Sequence, residues 1–534
     1  MTVPGTAVTV ANPLLPGCHP DPSICRVGEW YYLVTSTFEY LPGLPVMRSR
    51  DLLHWQTIGH VVDRPGMLDF DAIASSGGLY APTIRHGRGL FWVVCTLVDR
   101  DDATRGGSFV VTAEDPAGPW SDPVMLESDG IDPSLAFDAD GRVWMHGTRL
   151  APEPAWHDQT EVWVREYSPQ QAALVGEEHV IWRGAVHGAV WAEGPHLYRI
   201  DDSWYLLAAE GGTEFHHAVS VARADVVTGP YRGSPANPVF THRHLGRGTD
   251  VIGAGHADLV QAPDGSWHAV MLAMRAADGH HYPLGRETFL CPVEWQDSWP
   301  VFAPGQGRLP AVIAAPWAAL PPADGTWQPD DRRAGDIEPA DPRWTALRAL
   351  PSQIARVDDD TWRLPVRAAT LREASRVAFL GIRQQHADVD LVCVLDVSAL
   401  DPGESGALVV RQSEQDHAAA VVTRSDRGLT LSMMHVRGGE ERRWAEQALP
   451  DSARVRLDMR ARGYELAFMH DDVVSMTVDA RELDASSTGG FLGLWLGVCA
   501  TSGGRPSAGE LGIVRFAYAP VERDAAAGDD GASG

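Results

Sequence analysis

The chain has 534 residues and a formal charge of -27, and all 44 of its basic residues are arginine. So acidic a chain repels phosphate backbones and anionic lipid, which argues against nucleic acid or a membrane surface as partner and favours a neutral ligand. Without lysine it cannot run Schiff-base chemistry, use a P-loop lysine or hold pyridoxal phosphate.

No apolar run approaches the roughly 18 residues of a membrane helix. The N-terminal stretch MTVPGTAVTVANP lacks the basic start, apolar segment and small-residue cleavage site of a signal peptide, so the expected compartment is the cytoplasm. Six cysteines (18, 25, 95, 291, 393 and 499) are scattered without a CxxC pair, which predicts reduced thiols rather than disulfides or a zinc site. The length suits two or three domains, and a homo-oligomer is left open.

Along the first half, a unit of about 60 residues returns five times, as in five propeller blades. Its marker is a turn followed by aromatic strand residues: Gly28-Glu29-Trp30-Tyr31, Gly89-Leu90-Phe91-Trp92, Gly141-Arg142-Val143-Trp144, Asp202-Ser203-Trp204-Tyr205 and Gly265-Ser266-Trp267-His268. Eleven residues before Phe91, Val143, Trp204 and Trp267 stand Tyr80, Asp132, Glu193 and His256, and nine before Trp30 stands Asp21. Each precedes an apolar stretch and a hairpin turn, so each is expected near one end of its blade's innermost strand. Five equivalent positions about one axis must converge on a single pocket.

Residues 1–318 are thus predicted to form a five-bladed β-propeller. Between Pro321 and Pro342 the composition turns to proline, aspartate and arginine, which reads as a linker over 319–344. Short alternating segments separated by Gly, Asp or Ser turns then predict an antiparallel, concanavalin-like β-sandwich over 345–520. The fold class is all-β. The sandwich is expected to fold back over the propeller rim, with Ser486 to Trp495 offering an aromatic to the pocket. Residues 521–534 are too small and polar to pack and read as a disordered tail.

Three carboxylates in one polar pocket, with no nucleophilic serine motif, suit glycoside hydrolysis. One carboxylic acid protonates the leaving oxygen, another carboxylate activates water or attacks the sugar, and a third raises the pKa of the acid by like-charge repulsion. An Asp-Pro pair taken alone is more often a turn. The shared offset on separate blades is what favours chemistry.

The stretch Asn12-Pro13-Leu14-Leu15-Pro16-Gly17-Cys18-His19-Pro20-Asp21-Pro22-Ser23, then Gly130-Ile131-Asp132-Pro133-Ser134 and Ala192-Glu193-Gly194-Pro195-His196, resembles glycoside hydrolase family 43, in particular its two-domain β-xylosidases. The trailing sandwich, with Gly489-Gly490-Phe491-Leu492-Gly493-Leu494-Trp495, resembles the domain that accompanies them. The resemblance implies an exo-acting, inverting hydrolase that releases xylose from short xylo-oligosaccharides, with α-L-arabinofuranosidase activity as the alternative. It assigns Asp21 as general base, Glu193 as general acid and Asp132 as the residue that tunes and orients the acid. It places Arg286 on the sugar of the innermost subsite, with Thr213, Phe38 and Tyr80 lining the pocket. It also makes His256 the channel histidine that organises waters or a structural calcium ion, no cofactor being needed for the chemistry.

Two positions depart from the family pattern: Cys18 stands where an aromatic usually precedes His-Pro-Asp, and Tyr80 stands where some close β-xylosidases carry tryptophan. A retaining furanosidase would need Asn-Asp-Pro and Arg-Asp-Pro motifs, neither of which occurs. A binding protein derived from a dead enzyme would normally have lost a carboxylate.

Overall fold

The computed structural model describes residues 8–188, 190–276, 278, 280–315 and 335–521. Five antiparallel sheets follow one another along the first 302 residues. Their first strands are Ser23–Val27, Gly78–Gly87, Ile131–Phe137, Glu193–Ile200 and Val251–Gln261. Neighbouring first strands touch across the centre, as do the first and fifth, which makes the set a closed five-bladed propeller. The ring is fastened by a two-stranded sheet in which Val8–Ala11 pairs with Val312–Ala315.

The common offset found in the sequence mixes two structural positions. Asp21, Asp132 and His256 all have left-handed backbone, with φ of 54°, 54° and 49°. In the other two blades the left-handed residues are Ala81 and Gly194, so Tyr80 and Glu193 stand one residue earlier than the counterparts of Asp21. Turn length contributes, together with the place of the aromatic marker, which is second in Leu90–Val98 and Ser203–Glu210 but first in Val143–Leu150 and Trp267–Arg275. Three blades join their first two strands by two-residue turns (Val27 to Trp30, Gly87 to Leu90, Ile200 to Ser203), whereas the third and fifth use five residues (Phe137 to Val143, Gln261 to Trp267). In the second to fifth blades the ladder register also shifts at this point, a bulge that breaks strict alternation and lets adjacent residues serve the same pocket.

Two eight-stranded sheets form the second domain, packed over a core that runs from Ile337 to Tyr518. Residues 335–344 belong to this sandwich and not to a linker: Gly335–Asp336 pairs with Glu510–Pro520, and Ile337 and Trp344 are buried in the core. Of the predicted linker, 319–334 lies outside the described residues, as does the predicted tail from 522 onward. The propeller segment Tyr40–Leu41 pairs with Thr345–Leu347 and so extends one sandwich sheet. Tyr40 also stacks on Trp495 with centroids 4.0 Å apart. The two domains thus share backbone hydrogen bonds as well as a hydrophobic core.

All six cysteines are free thiols, five of them buried. Cys18 sits in the apolar cluster between the domains, with Phe38, Leu492 and Trp495. Among the described residues no helix is long and apolar enough to cross a membrane.

Candidate active site

Asp21 is almost fully buried, yet its carboxylate is well supplied with donors. Nη1 of Arg286 donates to Oδ1 at 3.0 Å and the Ser36 hydroxyl donates to Oδ2 at 2.6 Å, while Nδ1 of His256 lies 3.7 Å from Oδ1. Burial alone would raise this acid, but the Arg286 charge, His256 and the Ser36 hydrogen bond outweigh it and hold Asp21 below the ordinary carboxylate range. Asp21 is built to stay ionised.

Glu193 has the opposite surroundings. It is half-buried, and burial together with the negative charges of Asp132 and Asp21 pushes its carboxyl well above the usual range, with Arg286 as the opposing influence. Asp132 is also raised, mainly by burial, but by less, because His256 and the Gly194 amide pull it back. The Gly194 N–H donates to Asp132 Oδ2 at 2.9 Å. Asp21 is therefore the acid held ionised, and Glu193 one held protonated. A side chain at Gly194 would be strained: its φ is 54°, and a Cβ there would stand 2.9 Å from the His256 ring.

Arg286 anchors the far wall. Its Nη1 also donates to Thr213 Oγ1 at 3.1 Å, and its guanidinium lies over Phe38 and Phe491 at 5.7 and 5.2 Å from the ring centroids. Phe491 belongs to the sandwich. It packs against Phe38 at 6.1 Å and edge-on against Tyr80 at 5.7 Å, so both domains build the pocket. Phe38 is itself almost fully buried and backs Arg286 and Tyr80. The Tyr80 hydroxyl donates to the Ser76 carbonyl, and the Ser76 hydroxyl accepts the Phe491 N–H at 2.9 Å. Beside Arg286 the domains meet backbone to backbone: a Cβ on Gly285 would stand 2.7 Å from the Gly493 nitrogen.

The structure thus brings together Asp21, Asp132, Glu193, Arg286, Thr213, Phe38, Tyr80 and His256. Sequence reasoning missed Ser36, which holds Asp21 and also accepts the Ala81 N–H at 2.7 Å, and Ser76. Ser36 stands in the stretch Ser36-Thr37-Phe38-Glu39 that carries Phe38, but nothing there marks its own role, and Ser76 lies in no recognisable motif. Among the described residues, no group of three or more His, Cys, Asp and Glu side chains could hold a metal ion. A calcium ion beside His256 and Asp21 would therefore have to be held through water.

A family model described as "Glycosyl hydrolases family 43" matches residues 10–300. The chain belongs to that family. It is a glycoside hydrolase, and a second model, "Beta xylosidase C-terminal Concanavalin A-like domain", matches residues 336–521. The chain is 37% identical over 514 residues to a xylosidase/arabinosidase of Butyrivibrio fibrisolvens, covering 94% of this chain and 97% of that protein. It is 33% identical over 510 residues to a non-reducing end alpha-L-arabinofuranosidase of Bacteroides ovatus, covering 93% and 92%. The crystal structure of a xylan beta-1,4-xylosidase from Bacillus halodurans superposes with a TM-score of 0.86 at 30% identity, over 96% of this chain and all of that one.

Proposed function

We propose that this family 43 hydrolase is an exo-acting, inverting β-xylosidase that releases xylose from the non-reducing ends of short xylo-oligosaccharides, with α-L-arabinofuranosides as second substrates. The observation that carries the reading is the divergence of two acids in one pocket. Arg286 and Ser36 hold Asp21 ionised, while Asp132 and burial keep Glu193 protonated. Relatives named for both activities support the second substrate class.

In this mechanism Glu193 gives its proton to the glycosidic oxygen as the bond from C1 to that oxygen breaks. Asp21 takes a proton from a water whose oxygen bonds to C1 on the opposite face, so the anomeric configuration inverts. Arg286 holds the terminal sugar through its hydroxyls, and the wall made by Tyr80, Phe38 and Phe491 closes the pocket, which suits removal of one residue at a time. Asp132 acts through Glu193.

A panel of p-nitrophenyl glycosides read with early-time proton NMR tests this. A β-xyloside is expected to be cleaved and to give α-xylose first. Initial β-xylose would remove the inverting mechanism, and turnover of the α-L-arabinofuranoside alone would reverse the order of substrates.

A further inference from the structure

Two residues beyond each left-handed position at the pocket, the chain carries a second polar side chain, and every one is buried. After Asp21, Ala81, Asp132, Gly194 and His256 come Ser23, Thr83, Ser134, His196 and Asp258, the same step in all five blades. Buried polar groups need partners, and these find them in one another across the blades.

Asp258 is the hub. Arg85 forks onto it, with Nη1 2.8 Å from Oδ2 and Nη2 3.0 Å from Oδ1, and the Asp258 side chain is fully enclosed. The Ser23 hydroxyl and the Ile24 N–H donate to the same Oδ2 at 2.7 and 2.9 Å, and Tyr198 donates to Oδ1. Ser23 in turn accepts the Ile84 N–H at 3.1 Å. Arg85 Nη2 also reaches His196 Nδ1 at 3.1 Å. A guanidinium only donates, so Nδ1 is an acceptor, and the Ser134 hydroxyl 3.0 Å away donates to it as well. The Thr83 hydroxyl donates to the Pro133 carbonyl at 3.0 Å and so ties the second blade to the third.

These ties fall into two groups. Ser23, bonded to Asp258 and to Ile84, stands two residues after the base Asp21. Ser134 and His196 bridge the strand of Asp132 to that of Glu193, which the Gly194 N–H also joins. We propose that this inner polar ring is the positioning layer of the active site: Ser23 with Asp258 fixes where the base stands, and Ser134 with His196 fixes where the acid stands against Asp132. The inference rests on the assignment of Asp21 and Glu193 made above. Inversion depends on the separation of base and acid, and a misplacement of about 1 Å costs on the order of 10²-fold in rate, so small losses in the ring reach the chemistry.

The test compares wild type, Ser23→Ala, Ser134→Ala and the matching threonine variants on xylobiose and on 2,4-dinitrophenyl β-xyloside, beside Glu193→Ala. Ser23→Ala is expected to lower kcat about 10-fold on both substrates, as a displaced base would, with KM within about twofold of wild type. Ser134→Ala should lower kcat about 10-fold on xylobiose and far less on the dinitrophenyl substrate, as a displaced acid would. Ser23→Thr and Ser134→Thr return the hydroxyl, and Thr83 fills the equivalent place in the second blade, so each should recover most of kcat. Both alanine variants leave Arg85 paired with Asp258; should one not fold, the other carries the comparison. A lowered unfolding midpoint at unchanged kcat, or one and the same substrate pattern in both alanine variants, would overturn the positioning role. Equal loss on the two substrates in Glu193→Ala, or a wild type inactive on both, would instead overturn the reading on which the inference rests.

Discussion

Oδ1 of Asp21 lies 3.0 Å from Nη1 of Arg286, although 265 residues separate them in the chain. The contact spans the closure of the propeller ring, from the entry to the first blade to the fifth. It is also clamped locally: His19 N–H donates to the Arg286 carbonyl at 3.0 Å, Gly17 N–H to Glu287 Oε1 at 2.8 Å, and Thr288 Oγ1 to the His19 carbonyl at 2.6 Å. One charge then acts on two acids in different measure. With His256 and the Ser36 hydroxyl it outweighs burial at Asp21, and at Glu193 it is outweighed.

A bell-shaped dependence of kcat/KM on pH follows. Activity needs Asp21 ionised, so it rises through a pKa below the ordinary value of about 3.9, and it needs Glu193 protonated, so it falls through one well above about 4.3. Arg286→Met removes a charge that lowers both groups, so both limbs should move to higher pH as overall activity drops. A shift of either limb to lower pH would contradict this electrostatic account.

Asp132→Asn is expected to act on the alkaline limb alone. It removes a negative charge that raises Glu193, so Glu193 should lose its proton at lower pH and the bell should narrow from that side. The same pH–rate measurement checks it, and an unmoved alkaline limb would assign Asp132 a purely orienting part.

Glu193→Ala should cripple turnover of xylobiose by about 10²–10⁴-fold, the usual worth of a general acid. The same variant should keep far more activity on 2,4-dinitrophenyl β-xyloside, whose leaving group departs with little proton help. Asp21→Ala should lose both alike, because water must be activated whatever departs. Steady-state rates on the two substrates decide the assignment, and equal loss in Glu193→Ala would move the acid elsewhere.

Much of this site was legible because repetition stood in for an alignment: five copies of one unit placed Asp21, Asp132, Glu193, Tyr80 and His256 around one axis. The exact register was not legible. A fixed offset cannot see that a five-residue turn replaces a two-residue one, and so it set Glu193 level with Asp132 when Gly194 is the true counterpart. Ser36 escaped because a single hydroxyl on a loop carries no periodic signal. The sandwich segment around Phe491 was legible as glycine-rich with an aromatic. That it lies over Arg286 depends on domain docking, which local pattern does not encode.

That docking carries the last expectation. Glu39 of the propeller and Arg411 of the sandwich have fully buried side chains, with Nη1 of Arg411 3.5 Å from Glu39 Oε1. Arg411 Nη2 reaches Glu414 Oε1 at 3.1 Å and the Ser75 hydroxyl at 2.8 Å, and Glu39 Oε2 accepts the Ser76 N–H at 3.1 Å. Ser76 in turn holds Tyr80 and the Phe491 backbone, so the buried charges fix the loop on which the aromatic wall is built. Glu414 also pairs with the buried Arg348, so removing Arg411 leaves chiefly Glu39 buried without its guanidinium, at a cost of about 3–5 kcal/mol. Arg411→Met should therefore lower stability by about that amount in urea unfolding and raise KM for xylobiose, as the wall loosens around the sugar. Phe491→Ala should raise KM similarly but with a loss of stability smaller than that of Arg411→Met, since it removes the wall and leaves the charges paired. If Arg411→Met lost stability with KM unchanged, the cluster would serve the domain joint alone, and the wall would owe its position to the backbone contact of Gly285 with Gly493.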